Sequence, residues 1–298
     1  MSKPVEHRCG LVALGGRTNV GKSTLLNRLV GQKVAIVSPR PQTTRRRILG
    51  IRTDRGAQYL FLDAPGLHHP RQELNRRMLD TARRTLAEAH VIVGMIEAGG
   101  RLDPADRAML GELAAVGKPL IVAINKVDLL RRDYLLPLID QLAKELPNVE
   151  IVPVSALRAD NLEELLEVIR QRLPVGPPLM PEDEYTDQTE RMLAEEVIRE
   201  KIFLKMREEV PFSTAVTIES FSDVPEKNLK RIEALIVVER ESHKGMLIGA
   251  GGQNLKQIGT AARLELEKML GARVFVQTTV KVEPGWTADP RRLADYGL

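Results

Sequence analysis

Gly16-Arg17-Thr18-Asn19-Val20-Gly21-Lys22-Ser23 fits the pattern G-x-x-x-x-G-K-[ST]. It lies between an apolar run at residues 10–15 and a helical pattern at 23–30, the strand-to-helix context the pattern requires. Its glycines let backbone N–H groups curl around a polyphosphate, and the positive end of the following helix adds to them. Lys22 is expected to reach the β and γ phosphates and the Ser23 hydroxyl to ligate magnesium, with Gly16, Asn19, Val20, Gly21 and Thr24 completing the cradle. A plain glycine turn would not need Gly-Lys-Ser in this order. Alone, the loop specifies a nucleoside triphosphate without saying which one.

Outward from the loop, short apolar runs at residues 58–62, 90–96, 119–124 and 150–154 alternate with helical patterns at 74–87, 104–115, 134–146 and 161–173. Such alternation predicts a mostly parallel sheet with helices on both faces. The run 47–53 lies one short turn, 54–56, before 58–62, which predicts a hairpin and hence one antiparallel strand. Pro174-Val175-Gly176-Pro177-Pro178 and Pro181 then stop the last helix. The expected organisation is an α/β nucleotide domain at 1–175, a linker at 176–189 and an α+β domain at 190–298. In the latter a long helix within 182–209 precedes strand candidates 214–221 and 231–239, the stretch 242–252 with a short helical turn at 246–248, a helix at 253–270 and a strand at 273–280.

The base is named by Asn125-Lys126-Val127-Asp128, at the end of the run 119–124. A carboxylate such as Asp128 accepts both N1–H and the 2-amino group of guanine, a donor pair adenine lacks. Asn125 would tie the base to the phosphate loop, Lys126 would lie along the ring, and Ser155-Ala156-Leu157 would offer backbone N–H groups to guanine O6. Asp63-Ala64-Pro65-Gly66 follows the run 58–62; Asp63 is placed to hold magnesium and the Gly66 N–H to touch the γ phosphate. In Gln42-Thr43-Thr44-Arg45, Thr44 is the first choice for magnesium and Thr43 the second, although a β-prone pair before a strand would look the same. The residues expected to act on the γ phosphate are Lys22, Thr44, Asp63 and Gly66, and those on magnesium Ser23, Thr44 and Asp63.

Ile248-Gly249-Ala250-Gly251-Gly252-Gln253 fits the Gly-x-x-Gly loop with which KH domains clamp the backbone of about four nucleotides. The order helix, strand, strand, helix, helix, strand, with the loop between the two helices, is that of a type II KH domain. The loop lacks the usual central base, so phosphate contact is assigned to Gly249, Ala250, Gly251 and Gly252 backbone together with Lys244 and Lys256. Trp286 could stack a base, but packing against the domain core is the stronger expectation. Arg45-Arg46-Arg47 reads as a solvated face, and His68 and His69 as exposed loop residues rather than catalytic groups.

The stretch GRTNVGKSTLLNRLVGQKVAIVSPRPQTTR, with ERESHKG at 239–245 and Pro284-Gly285-Trp286, resembles the Era-like GTPases, relatives of the MnmE and Der families. The resemblance covers nearly the whole chain. It implies a GTP- and GDP-binding, magnesium-dependent hydrolase with slow intrinsic turnover. It also implies a KH domain that reads the 3′ end of 16S ribosomal RNA, and a role in assembly of the 30S subunit as a monomer in the cytoplasm. Leu67 stands where Ras-like GTPases carry a water-orienting glutamine, so catalysis must rest on positioning and electrostatics. In MnmE an asparagine matching Asn19 helps bind potassium; here Asn19 either does so or only fixes the turn. Thr18 and Ala64 depart from the usual Pro and Thr.

Composition is compatible with these readings and narrows the rest. The 44 Lys+Arg against 40 Asp+Glu give a formal charge of +4, which tolerates a polyanionic partner without requiring one. A single cysteine, Cys9, excludes an internal disulfide and suggests a reducing compartment. No apolar run is long enough to span a bilayer; peripheral contact with the inner membrane face stays open. Two rivals remain: a related GTPase whose second half binds protein or tRNA, and an RNA scaffold whose hydrolysis is incidental.

Overall fold

In the computed structural model, residues 6–41, 43–54, 56–66 and 73–298 are described, residue 132 by its backbone alone. The chain divides into two compact units, the first comprising Met1–Ala35, Thr44–His69 and Met78–Asp187, the second Ile36–Thr43, Pro70–Arg77 and Gln188–Leu298.

The first unit is built on six strands: β1 (Arg8–Gly16), β2 (Ile48–Thr53), β3 (Ala57–Asp63), β4 (Val91–Glu97), β5 (Leu120–Asn125) and β6 (Glu150–Pro153). Their spatial order is β2-β3-β1-β4-β5-β6. Every pairing is parallel except β2 with β3, which is the expected hairpin. Helices α1 (Lys22–Val30), α2 (Glu73–Glu88), α3 (Pro104–Ala115), α4 (Arg132–Glu145) and α5 (Leu162–Arg172) connect or follow them. Strand alternation sorts the core into two layers. Val12 and Leu14 pack with Leu25, Leu26 and Leu165 on one face. Ala13 packs with Ile92, Leu110 and Leu138 on the other. Both faces of the sheet are covered, so its central strands read as continuous apolar runs.

Residues 176–187, expected as a linker, run along the outer edge of this sheet. Ile51 N donates to Tyr185 O at 2.9 Å, and the Thr186 hydroxyl donates to Leu49 O at 2.7 Å. Gln58 Oε1 accepts from the amides of Leu179 at 2.8 Å and Met180 at 2.9 Å. The prolines prevent a regular strand, but the open hydrogen-bonding groups of β2 still capture the segment.

The second unit contains α6 (Glu190–Lys205), β7 (Thr214–Val224), β8 (Leu229–Val238), α7 (Glu241–Ile248), α8 (Gln253–Leu270), β9 (Arg273–Val282) and α9 (Pro290–Asp295). Its sheet has the order β7-β8-β9, with β7 antiparallel and β9 parallel to β8. Ile198 and Ile202 of α6, Ile236 of β8, Leu247 of α7 and Ile258 and Leu266 of α8 share one core. The stretch 242–252, expected to supply the helix ahead of the glycine loop with a turn at 246–248, holds the two-turn helix α7, which starts earlier and is held by buried His243 and Leu247 at a spacing of i, i+4. His243 Nδ1 lies 3.0 Å from Ser213 Oγ. Trp286 is buried, donates its Nε1–H to Ser213 O at 3.1 Å and packs edge-on against Tyr296; it is a core residue, not a base platform. Helix α9, six residues after Asp289, was outside the expectation; the Asp289 side chain caps it through Arg291 N at 2.8 Å. Among the described residues no helix is long and apolar enough to cross a membrane.

Candidate functional site

The phosphate loop leaves β1 at Gly16 and enters α1 through Gly21, which has φ 102°. A Cβ on Gly21 would lie 2.3 Å from Asn125 Nδ2, and one on Gly16 would lie 2.7 Å from Met95 O. Glycine is thus required by packing as well as by backbone angle. Asn19 adopts φ 64°, a left-handed conformation that asparagine tolerates, so the turn-fixing role has an observation behind it.

Lys22 is buried and donates to the carbonyls of Gly16 at 3.1 Å and Arg17 at 2.8 Å, which holds its ammonium inside the loop. Burial pushes its pKa down to about 8, with the nearby Asp63 carboxylate acting in the opposite direction. Polyphosphate arriving in this loop would favour the charged form.

Ser23, Thr44 and Asp63 come together. Ser23 Oγ donates to Asp63 Oδ2 at 2.6 Å, Thr44 Oγ1 donates to the same oxygen at 3.3 Å, and the two hydroxyls are 3.0 Å apart. Two hydroxyls on a carboxylate at the mouth of a phosphate loop form a hard-oxygen donor set, which fits magnesium. Thr43 instead donates to Arg40 O at 2.8 Å. Gly66 lies against Thr18, where a Cβ would come within 3.0 Å of the Thr18 amide nitrogen. Thr24 follows Ser23 in the first turn of α1, and Ala64, buried, and Pro65 connect Asp63 to Gly66. Gln42, Leu67, His68 and His69 lie outside the described residues.

On the base side, Asn125 Nδ2 donates to Val20 O at 2.8 Å and its Oδ1 accepts from Ala156 N at 2.9 Å. One amide side chain thus bridges the phosphate loop and the Ser155-Ala156-Leu157 segment. Asp128 accepts from Ser155 Oγ at 2.6 Å, an anchor that fixes the carboxylate. Lys126 has φ 67° and pairs with Glu97 at 2.6 Å. Arg28 reaches from α1 to Leu157 O at 2.9 Å.

Two groups escaped the sequence reading. Glu97 ends β4 level with Asn125 of the neighbouring strand, a register that only the folded sheet reveals. Arg17 contacts Asp103 at 3.2 Å and Asp106 at 3.4 Å, with burial raising the Asp106 pKa. No pattern connects residues so far apart. The run 45–47 is not one solvated face: Arg45 is buried and Arg47 is exposed and pairs with Glu88 at 2.7 Å.

The loop between α7 and α8 is left-handed at Gly251 (φ 57°) and Gly252 (φ 77°), and Gly249 has φ 72°. A side chain on Gly249 would strike Asn254, whose Nδ2 donates to Met246 O at 2.9 Å. Lys244 is partly exposed on α7, and Lys256 is exposed on the first turn of α8. Next to this loop a cavity of about 370 Å³ is lined by Gly252, Lys256, Gly259, Arg263, Phe275 and Thr278, among others.

Comparison with known proteins agrees with both halves of this geometry. Residues 11–126 match the family model described as 50S ribosome-binding GTPase, and residues 194–287 match that of the KH domain. The chain is 43% identical to the GTPase Era of Syntrophus aciditrophicus over 293 residues, 98% of this chain and 96% of the relative. It is 44% identical to that of Lacticaseibacillus paracasei, covering 98% and 97%. A crystal structure of Era in complex with MgGDPNP and nucleotides 1506–1542 of 16S ribosomal RNA superposes with a TM-score of 0.94 at 44% identity, over 98% of this chain and 99% of that one. An Aquifex aeolicus Era variant bound to GDP.AlF4- gives the same TM-score and identity, over 97% and 99%.

Proposed function

The chain belongs to the GTPase Era family, and from that premise we propose that it is a GTP-hydrolysing switch whose KH unit binds the 3′ end of 16S ribosomal RNA during assembly of the 30S subunit. The observation that carries the catalytic half is the convergence of the Ser23 and Thr44 hydroxyls on one Asp63 oxygen, near the buried ammonium of Lys22.

In this reading Lys22 holds the β and γ phosphates, Ser23, Thr44 and Asp63 hold magnesium, and the Gly66 N–H meets the γ phosphate. The metal supplies positive charge against the oxygens that become more negative as water attacks phosphorus. Asp128 accepts both donors of guanine, and its hydrogen bond from Ser155 keeps it oriented before the base arrives. Adenine would leave that carboxylate desolvated and unsatisfied. Asn125, bonded to both Val20 and Ala156, makes base and phosphate recognition one rigid unit. Potassium at Asn19 rests on the MnmE relationship alone.

For the RNA half, residues 190–298 form the reading module, with Lys244, Lys256 and the 249–252 backbone on phosphate. The relative bound to a 16S fragment and a GTP analogue supports both ligands for this chain. We further assign it to the cytoplasm as a monomer, with contact to the inner membrane face as a peripheral property.

The test is sequencing of RNA crosslinked to the protein in cells, paired with phosphate release from GTP and ATP by the purified protein. Crosslinks at the 16S 3′ end and magnesium-dependent turnover of GTP but not ATP are expected. Crosslinks confined to tRNA, or equal turnover of ATP, would sink the proposal.

A further inference from the structure

The stretch SALRADN at 155–161 lies between β6 and α5, beside the carboxylate of Asp128. It is closed on itself: Ser155 N donates to Asp160 O at 3.2 Å, and Asp160 N donates to Ser155 O at 3.0 Å. Asn161 Nδ2 donates to Pro153 O at 2.9 Å, and Arg28 of α1 holds Leu157 O from outside. Ala159 is left-handed at φ 61°, a strained conformation for alanine that these bonds maintain. The loop is thus built to hold residue 158 in one place.

Arg158 is fixed at its backbone and free at its tip. Its amide donates to Ser155 Oγ at 3.1 Å, the same hydroxyl that donates to Asp128 Oδ1 at 2.6 Å. Its guanidinium Nε lies 3.8 Å from Asp128 Oδ2, within ion-pair range and beyond that of a hydrogen bond. The Asp128 side chain is 4% exposed and that of Arg158 64%. Lys126, on the same motif, is engaged by Glu97, which leaves Arg158 to face Oδ2. The carboxylate therefore has a fixed hydroxyl on one oxygen and, by the other, a cation that can withdraw into solvent.

Guanine needs both oxygens, because N1–H and the 2-amino group each bring a donor. Arg158 and the base thus compete for Oδ2. Hypoxanthine has the N1–H alone and leaves one oxygen unmet, which is a strong ground for rejection when the charge is buried. A guanidinium beside that oxygen offsets the penalty.

We propose that Arg158 sets base specificity: its guanidinium competes with the guanine 2-amino group for Asp128 Oδ2 and stands in for that group when hypoxanthine is bound. The consequence is a looser hold on guanosine phosphates, and a narrower preference over inosine phosphates, than Asp128 alone would give. This role rests on the reading of Asp128 as the guanine carboxylate and deepens it.

The experiment measures affinities of the full chain for GTP, inosine triphosphate and ATP by competition against a fluorescent GDP analogue. Arg158→Ala is expected to raise GTP affinity about threefold, the scale of an ion pair with an exposed partner, and to leave inosine triphosphate affinity unchanged. Arg158→Lys keeps the charge and should stay near the unaltered protein. Raising potassium chloride from about 0.1 to about 1 M shortens the screening length from ~10 to ~3 Å and should erase most of the difference between Arg158→Ala and the unaltered protein. A GTP affinity that is unchanged or lower in Arg158→Ala overturns the proposal. So does an equal change for both nucleotides, which would mark a reshaped loop instead of competition for one oxygen. If the unaltered protein prefers neither GTP nor inosine triphosphate over ATP, the guanine reading itself fails, a result distinct from any outcome with the variants.

Discussion

The loops at 16–23 and 249–252 share a plan, glycines in left-handed conformations leading into the start of a helix, yet their surroundings are opposite. In the first, a Cβ on Gly21 meets Asn125 at 2.3 Å, whereas Gly251 and Gly252 have nothing within 4 Å. The nucleotide loop is walled by its own protein, by a buried ammonium, and by an amide from another strand. The RNA loop faces solvent and is steadied mainly by Asn254. A walled loop encodes its ligand in side chains distant in sequence. An open one leaves recognition to the backbone and to whatever lines the groove beyond it.

The widest separation between the two sites should come from Asp128→Asn. Removing the carboxylate that takes both guanine donors is expected to lower GTP affinity roughly ten-thousandfold, with gain of xanthosine triphosphate, whose C2 carbonyl suits an amide. RNA affinity of the nucleotide-free protein should not change, and competition titrations with both triphosphates measure the exchange. Next, Gly21→Ala drives a methyl into Asn125. Nucleotide affinity should fall at least about a hundredfold, and the melting temperature should drop, because strain at a crowded left-handed position costs of order 1–3 kcal/mol.

A third test concerns Lys22, whose folded pKa is lowered from 10.5 to about 8. Triphosphate raises it again, so binding takes up a proton above pH 8 and affinity should decline by up to about tenfold per pH unit there. The nucleotide-free fold should move the other way. Between about 8 and 10.5 the unfolded chain holds the extra proton, so stability rises with pH in that window. Calorimetric titration and melting curves against pH give both slopes, and Lys22→Ala should flatten each; slopes that survive the substitution would assign the effect elsewhere. The smallest effect is expected for Gly251→Ala, where a Cβ meets open space and only the left-handed angle is penalised, by about 1 kcal/mol. RNA affinity should fall about fivefold with GTP turnover unchanged. If turnover falls as well, the loops are not as separate as their surroundings suggest.

The same contrast governs how much could be read in the sequence. The order of strands and helices, the β2–β3 hairpin and the nucleotide motifs were legible because each is short-range: an apolar period, a turn, or a strand end carrying a polar residue. Helix α7 was legible in the order of elements but not in its extent, because its two anchors, His243 and Leu247, are buried only in the assembled unit. Arg17 with Asp103 and Asp106, and Glu97 with Lys126, depend on which loops tertiary folding brings together. Thr44, the first choice over Thr43, is the one whose hydroxyl reaches Asp63.

Gln58 ties the sheet to the chain that follows it. A fully buried polar side chain in β3 looks like an error in a core strand, yet it fastens residues 179 and 180 while Tyr185 and Thr186 cover the outer strand β2. An unpaired sheet edge invites a second molecule to add its own strand. The segment 176–187 therefore doubles as a guard against self-association, and a protein cut short at residue 175 should fold its sheet but gather into oligomers through β2.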